Sequence, residues 1–231
     1  MLKSGQNRGL IRDRTLWRGL QPVRLLDLRA VFVAGLAAAA AAFAGAALAA
    51  PDWRVTPDDM ALGNPKAKVT VIEYASASCP HCARFNNDVF PAFKAKYVDT
   101  GKVRYVMREI LTPPTEVAAA GFLTARCGGK AKYFPILDQI FRHQQEIYQT
   151  GDVNGVLGRA AQSEGLTQQQ FEKCVFDGDA LGALNTRVDT YSKRDEITGT
   201  PTFIINGRRY DSGEMSLADL DKAVADARKV H

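Results

Sequence analysis

The sequence predicts an α/β fold: a mixed parallel and antiparallel sheet, built from a βαβ unit and a later ββα unit, with an all-helical insertion between them. Three observations carry this. Two β-branched apolar runs, at 69–75 and 103–107, flank a segment with helical spacing. Residues 115–196 contain almost no strand signal and several amphipathic stretches. The β signal then returns at 202–205 and 208–210, separated by Asn206-Gly207, the strongest short-range mark of a type I′ hairpin. The implied boundaries are 1–50 for a leader, 51–112 and 197–231 for the two parts of the α/β domain, and 113–196 for the insertion.

Residues 1–30 hold seven Lys/Arg against two acids, and residues 31–50 are uncharged and mostly alanine, ending Ala47-Leu48-Ala49-Ala50. A basic start, an apolar core and a small-residue ending describe a secretory signal peptide, with cleavage expected near Ala49 or Ala50. The competing reading is an uncleaved membrane anchor, since about 20 apolar residues span a bilayer. The leader has no Arg-Arg pair to suggest the twin-arginine route. The net charge of +5 belongs to this segment: of 30 Lys/Arg and 25 acids, the rest of the chain keeps 23 of each. The basic balance is therefore no argument for nucleic-acid binding.

Residues 51–68 are polar and contain proline, and read as a short lead-in rather than a domain. The run 69–75 reads as a buried strand. Phe85, Val89, Phe90, Phe93 and Tyr97 define one face of a helix over 81–98, which Pro91 should kink or divide and Gly101 should end. The strand at 103–107 completes a right-handed βαβ unit with parallel strands. Helices are predicted near 115–127, 130–149, 153–164, 168–176 and 179–196, with Thr167 capping the fourth and Gly128-Gly129 and Gly151 as stops. Ser216 should cap a closing helix whose apolar positions are Leu217, Leu220, Val224 and Ala227.

Chemistry concentrates at Cys79-Pro80-His81-Cys82, at the junction of the first strand and its helix. A helix N-terminus offers unpaired N–H groups and positive partial charge, which favour a thiolate on Cys79. That makes Cys79 the candidate nucleophile and Cys82 its resolving partner, with His81 able to place a polar or positive group near the sulfur. The alternatives are a structural staple or half a zinc site. Zinc needs two more ligands, and Cys127, Cys174, His143 and His231 offer no second close pair, so no metal is expected. Ala83 excludes c-type haem attachment, which requires His after the second cysteine. His143, in a polar stretch, is expected on a solvated face.

Taken with 71–74 (Val-Ile-Glu-Tyr) and Gly199-Thr200-Pro201-Thr202-Phe203, this arrangement resembles the thioredoxin-like DsbA family of exported thiol:disulfide oxidoreductases over residues 62–230. The resemblance implies that Pro201 is a cis-proline lying against the active-site disulfide, with Cys79 exposed and Cys82 shielded. It also implies reduced secreted proteins as substrates, a periplasmic location, no cofactor, and reoxidation by a DsbB-like membrane quinone reductase. A cis Pro201 cannot donate an N–H, leaving the Thr200 backbone to pair with an extended substrate chain. Glu73, six residues before Cys79, could shuttle protons to Cys82 if buried, or be a strand acid facing solvent. Four cysteines allow three pairings. The local pair leaves Cys127 with Cys174, and some DsbA-like proteins carry such a second bridge in the insertion.

The function expected is transfer of a disulfide to secreted proteins through a mixed disulfide on Cys79. Within the same fold, the alternative is an isomerase or reductase. Thr200 bears on this choice, because strong oxidants of the family often carry Val there and isomerases often carry Thr. Against an isomerase, residues 51–64 are too short for a dimerisation domain, and a monomer is the default. A thioredoxin-like binding or chaperone module with an incidental CPHC pair is the non-enzymatic reading.

Overall fold

The computed structural model describes residues 53–211 and 213–229. The expected leader lies outside the described residues, so the cleavage and anchor readings do too. Among the described residues no helix is long and apolar enough to cross a membrane.

Five strands form one sheet in the order β1-β3-β2-β4-β5: β1 (Met60–Leu62), β2 (Val69–Ala75), β3 (Val103–Glu109), β4 (Thr202–Ile205) and β5 (Arg208–Tyr210). β2 and β3 run parallel, in register Glu73↔Met107, and the other pairings are antiparallel. The predicted hairpin closes β4 and β5, with both Asn206 (φ 44°) and Gly207 (φ 84°) in the left-handed region that a type I′ turn requires. β1 lies in the lead-in over 51–68, where no strand was read. It is a three-residue edge strand, too short to show periodicity, and its partner β3 supplies the order.

The segment after the CPHC motif alternates α and π turns: α1 (Pro80–Arg84), a π turn (Phe85–Val89), α2 (Phe90–Phe93) and a second π turn (Lys94–Val98). Pro91, expected to kink or divide this helix, removes one N–H from the ladder and sits in the short α2 between the two π turns. The insertion comprises α3 (Thr115–Cys127), α4 (Gly129–Arg142), α5 (Gln144–Thr150), α6 (Val153–Ser163), α7 (Gln168–Val175) and α8 (Gly178–Arg194). The single helix predicted over 130–149 is two helices, because the backbone leaves helical geometry at His143 (φ −104°, ψ 10°). Thr167 caps α7 in a reciprocal capping box with Gln170. α9 (Leu217–Lys229) closes the fold, and the Ser216 hydroxyl accepts from the Asp219 N–H.

Period-two alternation along β2 divides the core. Val69, Val71 and Ala75 face a cluster that holds Cys79, Cys82, Phe85, Phe203 and the apolar face of α9, and it continues into the insertion through Phe122, Ile136 and Phe171. Ile72 and Tyr74 face a smaller cluster with Val106, Ile204 and Tyr191 of α8. Charges buried beside these clusters are paired. Arg108 donates to Asp59, Asp195 and the Tyr74 hydroxyl at 3.0, 3.2 and 2.7 Å. Glu109 accepts from Arg126, Tyr133 and Arg187 at 2.6, 3.1 and 3.2 Å, fastening the end of β3 to α3, α4 and α8.

A disulfide joins Cys127, at the end of α3, to Cys174 in α7 across 47 residues. Closing a loop of that length restrains the unfolded chain by about 4 kcal/mol in the chain-entropy account. Replacing both cysteines by alanine should therefore lower the thermal midpoint by roughly 8–16 °C. Calorimetry of the two proteins without reductant checks this, and an unchanged midpoint would show that the bridge does not restrain unfolding.

Candidate active site

Cys79 occupies the N-cap of α1, with extended backbone (φ −82°, ψ 119°) and Pro80 at the first helical position. Proline is at home there, because its missing N–H would lack a helical partner anyway. The N–H groups of His81 and Cys82 remain, and they favour charge on the Cys79 sulfur without closing a cap hydrogen bond to it. Both cysteines are free thiols here; Cys79 is 6% exposed and Cys82 fully buried.

The two thiols are driven apart in acidity. A hydrogen bond from the Cys82 thiol, joined by weaker contributions from Thr200 and the two backbone N–H groups, outweighs burial and lowers the Cys79 pKa to about 5. Burial pushes the Cys82 thiol well above its ordinary value, and its bond to Cys79 and the charge of Glu73 add to the rise. Cys79 is therefore held as a thiolate at neutral pH and Cys82 as a thiol.

The peptide bond before Pro201 is cis, and Pro201 is buried next to the pair. Thr200 lies over the Cys79 sulfur: protonated, that sulfur donates to the Thr200 carbonyl at 3.3 Å. Glu73 is 1% exposed, on the strand face shared with the cysteine cluster. Burial raises its pKa to about 8, partly opposed by a short hydrogen bond from the Tyr105 hydroxyl and reinforced by the charge of Cys79. Of the two sequence readings of Glu73, the solvent-facing one is excluded by this burial.

His81 is placed differently from its expected role. Its backbone N–H favours charge on the Cys79 sulfur, but its ring is largely exposed, with Nδ1 2.6 Å from Glu214 and 2.6 Å from Arg84. A carboxylate and a guanidinium outcompete the sulfur for an exposed ring. His143 is exposed at the break between α4 and α5, as its polar neighbours suggest.

The insertion also reaches the site. Gln144, 3% exposed, donates to the carbonyls of Ala77 and Cys79 at 2.8 and 3.3 Å, and the Tyr148 hydroxyl, one turn later on α5, donates to the Ser78 carbonyl. Three successive carbonyls of the turn before α1 are thus held by one helix face. Ser78 donates to the Thr112 carbonyl at 2.8 Å on the other side. Gly121 permits the close approach, since a Cβ there would stand 2.8 Å from that of Ala77. Gln144, Tyr148, Tyr105, Arg84 and Glu214 carry no local motif. Only the inward phase of Tyr105 on β3 was open to reading.

A family model described as Thioredoxin matches residues 55–226. A Rickettsia bellii protein described as a protein-disulfide oxidoreductase is 32% identical over 180 residues, covering 76% of this chain and 68% of the relative. The chain belongs to the DsbA-like thiol:disulfide oxidoreductases. The crystal structure of Wolbachia pipientis alpha-DsbA1 is 28% identical, with a TM-score of 0.69, and covers 78% of this chain and 98% of that one. BdbD from Bacillus subtilis, 19% identical with a TM-score of 0.69, shares the fold. The chain spans 61% of a further relative, from Rickettsia conorii. The thioredoxin-like fold and the thiol:disulfide oxidoreductase class are thus what this DsbA-like chain shares with its relatives.

Proposed function

We propose that this chain is an exported oxidase that passes a disulfide to reduced secreted proteins. A substrate thiolate attacks the Cys79 sulfur of the Cys79–Cys82 disulfide; the old S–S bond breaks and Cys82 leaves as a thiolate. The Cys82 sulfur, whose pKa is raised by burial, takes a proton, and the buried carboxyl of Glu73 is the nearby group able to give one. The substrate's second thiolate then attacks the mixed disulfide at the substrate sulfur, and Cys79 leaves as a thiolate. Two electrons pass to the pair and the substrate keeps the bond. A DsbB-like membrane quinone reductase would restore the disulfide, with no cofactor bound to this chain. The alanine-rich leader supports export to the periplasm, and monomeric action is the reading adopted.

The observation that carries the direction is the depressed pKa of Cys79: a leaving group held as a thiolate stabilises the dithiol and makes its disulfide a strong donor. The isomerase or reductase reading rests on Thr200, whose carbonyl lies 3.3 Å from the sulfur. A binding or chaperone module would need no such thiolate. Equilibration with glutathione should give a reduction potential above roughly −180 mV. A value near −270 mV, the range of thioredoxin itself, would overturn the oxidase assignment.

A further inference from the structure

His81 and Arg84 stand three residues apart on the exposed face of α1, a spacing that makes them neighbours. Glu214 comes from the segment between β5 and α9, about 130 residues later, yet one of its oxygens meets both. Oε1 lies 2.8 Å from Arg84 Nε, 2.6 Å from its terminal nitrogen and 2.6 Å from His81 Nδ1. A guanidinium only donates and a carboxylate only accepts. The imidazole is therefore committed at Nδ1 to one or the other, and that nitrogen does not serve the sulfur two residues before it. Exposed ion pairs of this kind add little to stability. What the contact fixes is position.

We propose that Glu214 is a positioning residue that sets the redox poise of the CPHC pair. By latching the His81 ring, and Arg84 with it, onto a carboxylate at the rim of the site, it withholds a donor from the Cys79 sulfur. The pair is thereby less oxidising than the same motif with a free histidine. The other groups facing Cys79 are unaffected by the latch: the Cys82 thiol, Thr200, the N–H groups of His81 and Cys82, the Glu73 carboxyl behind the pair and the Tyr148 phenol beside it. Arg84 already shares a charge interaction with Cys79 from its latched position. Freeing the ring adds a new interaction that favours the thiolate.

This rests on the exchangeable-pair reading above, and the test separates the two. In the reduced protein, thiolate absorbance near 240 nm is followed against pH, and each protein is equilibrated with glutathione. Glu214→Ala should lower the Cys79 midpoint by about half a unit, with a roughly threefold shift of the exchange equilibrium toward the dithiol, about 14 mV. Glu214→Gln, which keeps an acceptor oxygen, should shift less. In a His81→Asn background, Glu214→Ala should produce under half the shift. An unchanged or raised midpoint in Glu214→Ala overturns the latch, and so does an equal shift without His81, which would leave charge alone as the cause. A wild-type protein that does not exchange with glutathione overturns the exchangeable-pair reading and the latch together.

Discussion

Cys79→Ser is expected to reduce disulfide transfer to the uncatalysed background, and Cys82→Ser is expected to accumulate covalent adducts with substrate. The two outcomes differ because the cysteines differ in environment. Cys79 retains 6% exposure at the helix N-cap and is held as a thiolate, while Cys82 is sealed below it and held as a thiol. Attack is thus confined to Cys79, whose thiolate is also the better leaving group. Without Cys82, a mixed disulfide on Cys79 loses the return attack by the buried thiol and persists until a second substrate thiolate resolves it. Oxidation of reduced, unfolded ribonuclease measures the first effect; for the second, Cys82→Ser is first converted by glutathione disulfide to its Cys79–glutathione mixed disulfide, and non-reducing gels then read the adduct formed when a thiolate of the same substrate displaces glutathione. Adducts on Cys79→Ser instead would reverse the assignment.

The parts of this site visible in the sequence were those carried by short segments. Cys79-Pro80-His81-Cys82 states its own geometry, because a proline after the first cysteine fits the first helical position and leaves the following N–H groups free. The hairpin was equally plain, since Asn206-Gly207 meets a backbone demand that few residue pairs satisfy. The isomer at Pro201 was not readable from residues; the family resemblance supplied it, and the same sequence logic left the cis bond before Pro114 unread. Long-range partners were the least legible. Glu214 reaches His81 across 133 residues and Gln144 reaches Ala77 across 67, and neither lies in a pattern that differs from an ordinary polar surface. β1 escaped for a related reason, since its order comes from Met107 and its neighbours on β3. Glu73 was intermediate: its strand was evident, but only the packed face of β2 separates a buried acid from a solvated one.

Glu73→Gln is the second substitution with a large expected effect, and it acts on stability and on rate in opposite senses. In the reduced protein the carboxyl titrates near 8 when folded, against an ordinary value of 4.5. Its raised pKa means the folded state binds a proton that the unfolded chain has released, so folding stability falls as pH rises from about 4.5 toward 8. At pH 7 the cost is roughly 3 kcal/mol. Glutamine keeps a carbonyl to accept the Tyr105 hydroxyl bond but cannot ionise. The variant should therefore gain about that much stability at pH 7, with its advantage over wild type growing from pH 5 to 8, as read from urea unfolding of the reduced proteins; the rising contribution of the depressed Cys79 thiol is common to both curves. It should also slow the step that protonates or deprotonates Cys82, because burial leaves that thiol with no solvent to trade protons with. Single-turnover oxidation across the same pH range reads this as a lower and flatter rate profile. Parallel stability curves for wild type and Glu73→Gln would show that the carboxyl is ionised throughout, and would remove it as a proton source for Cys82.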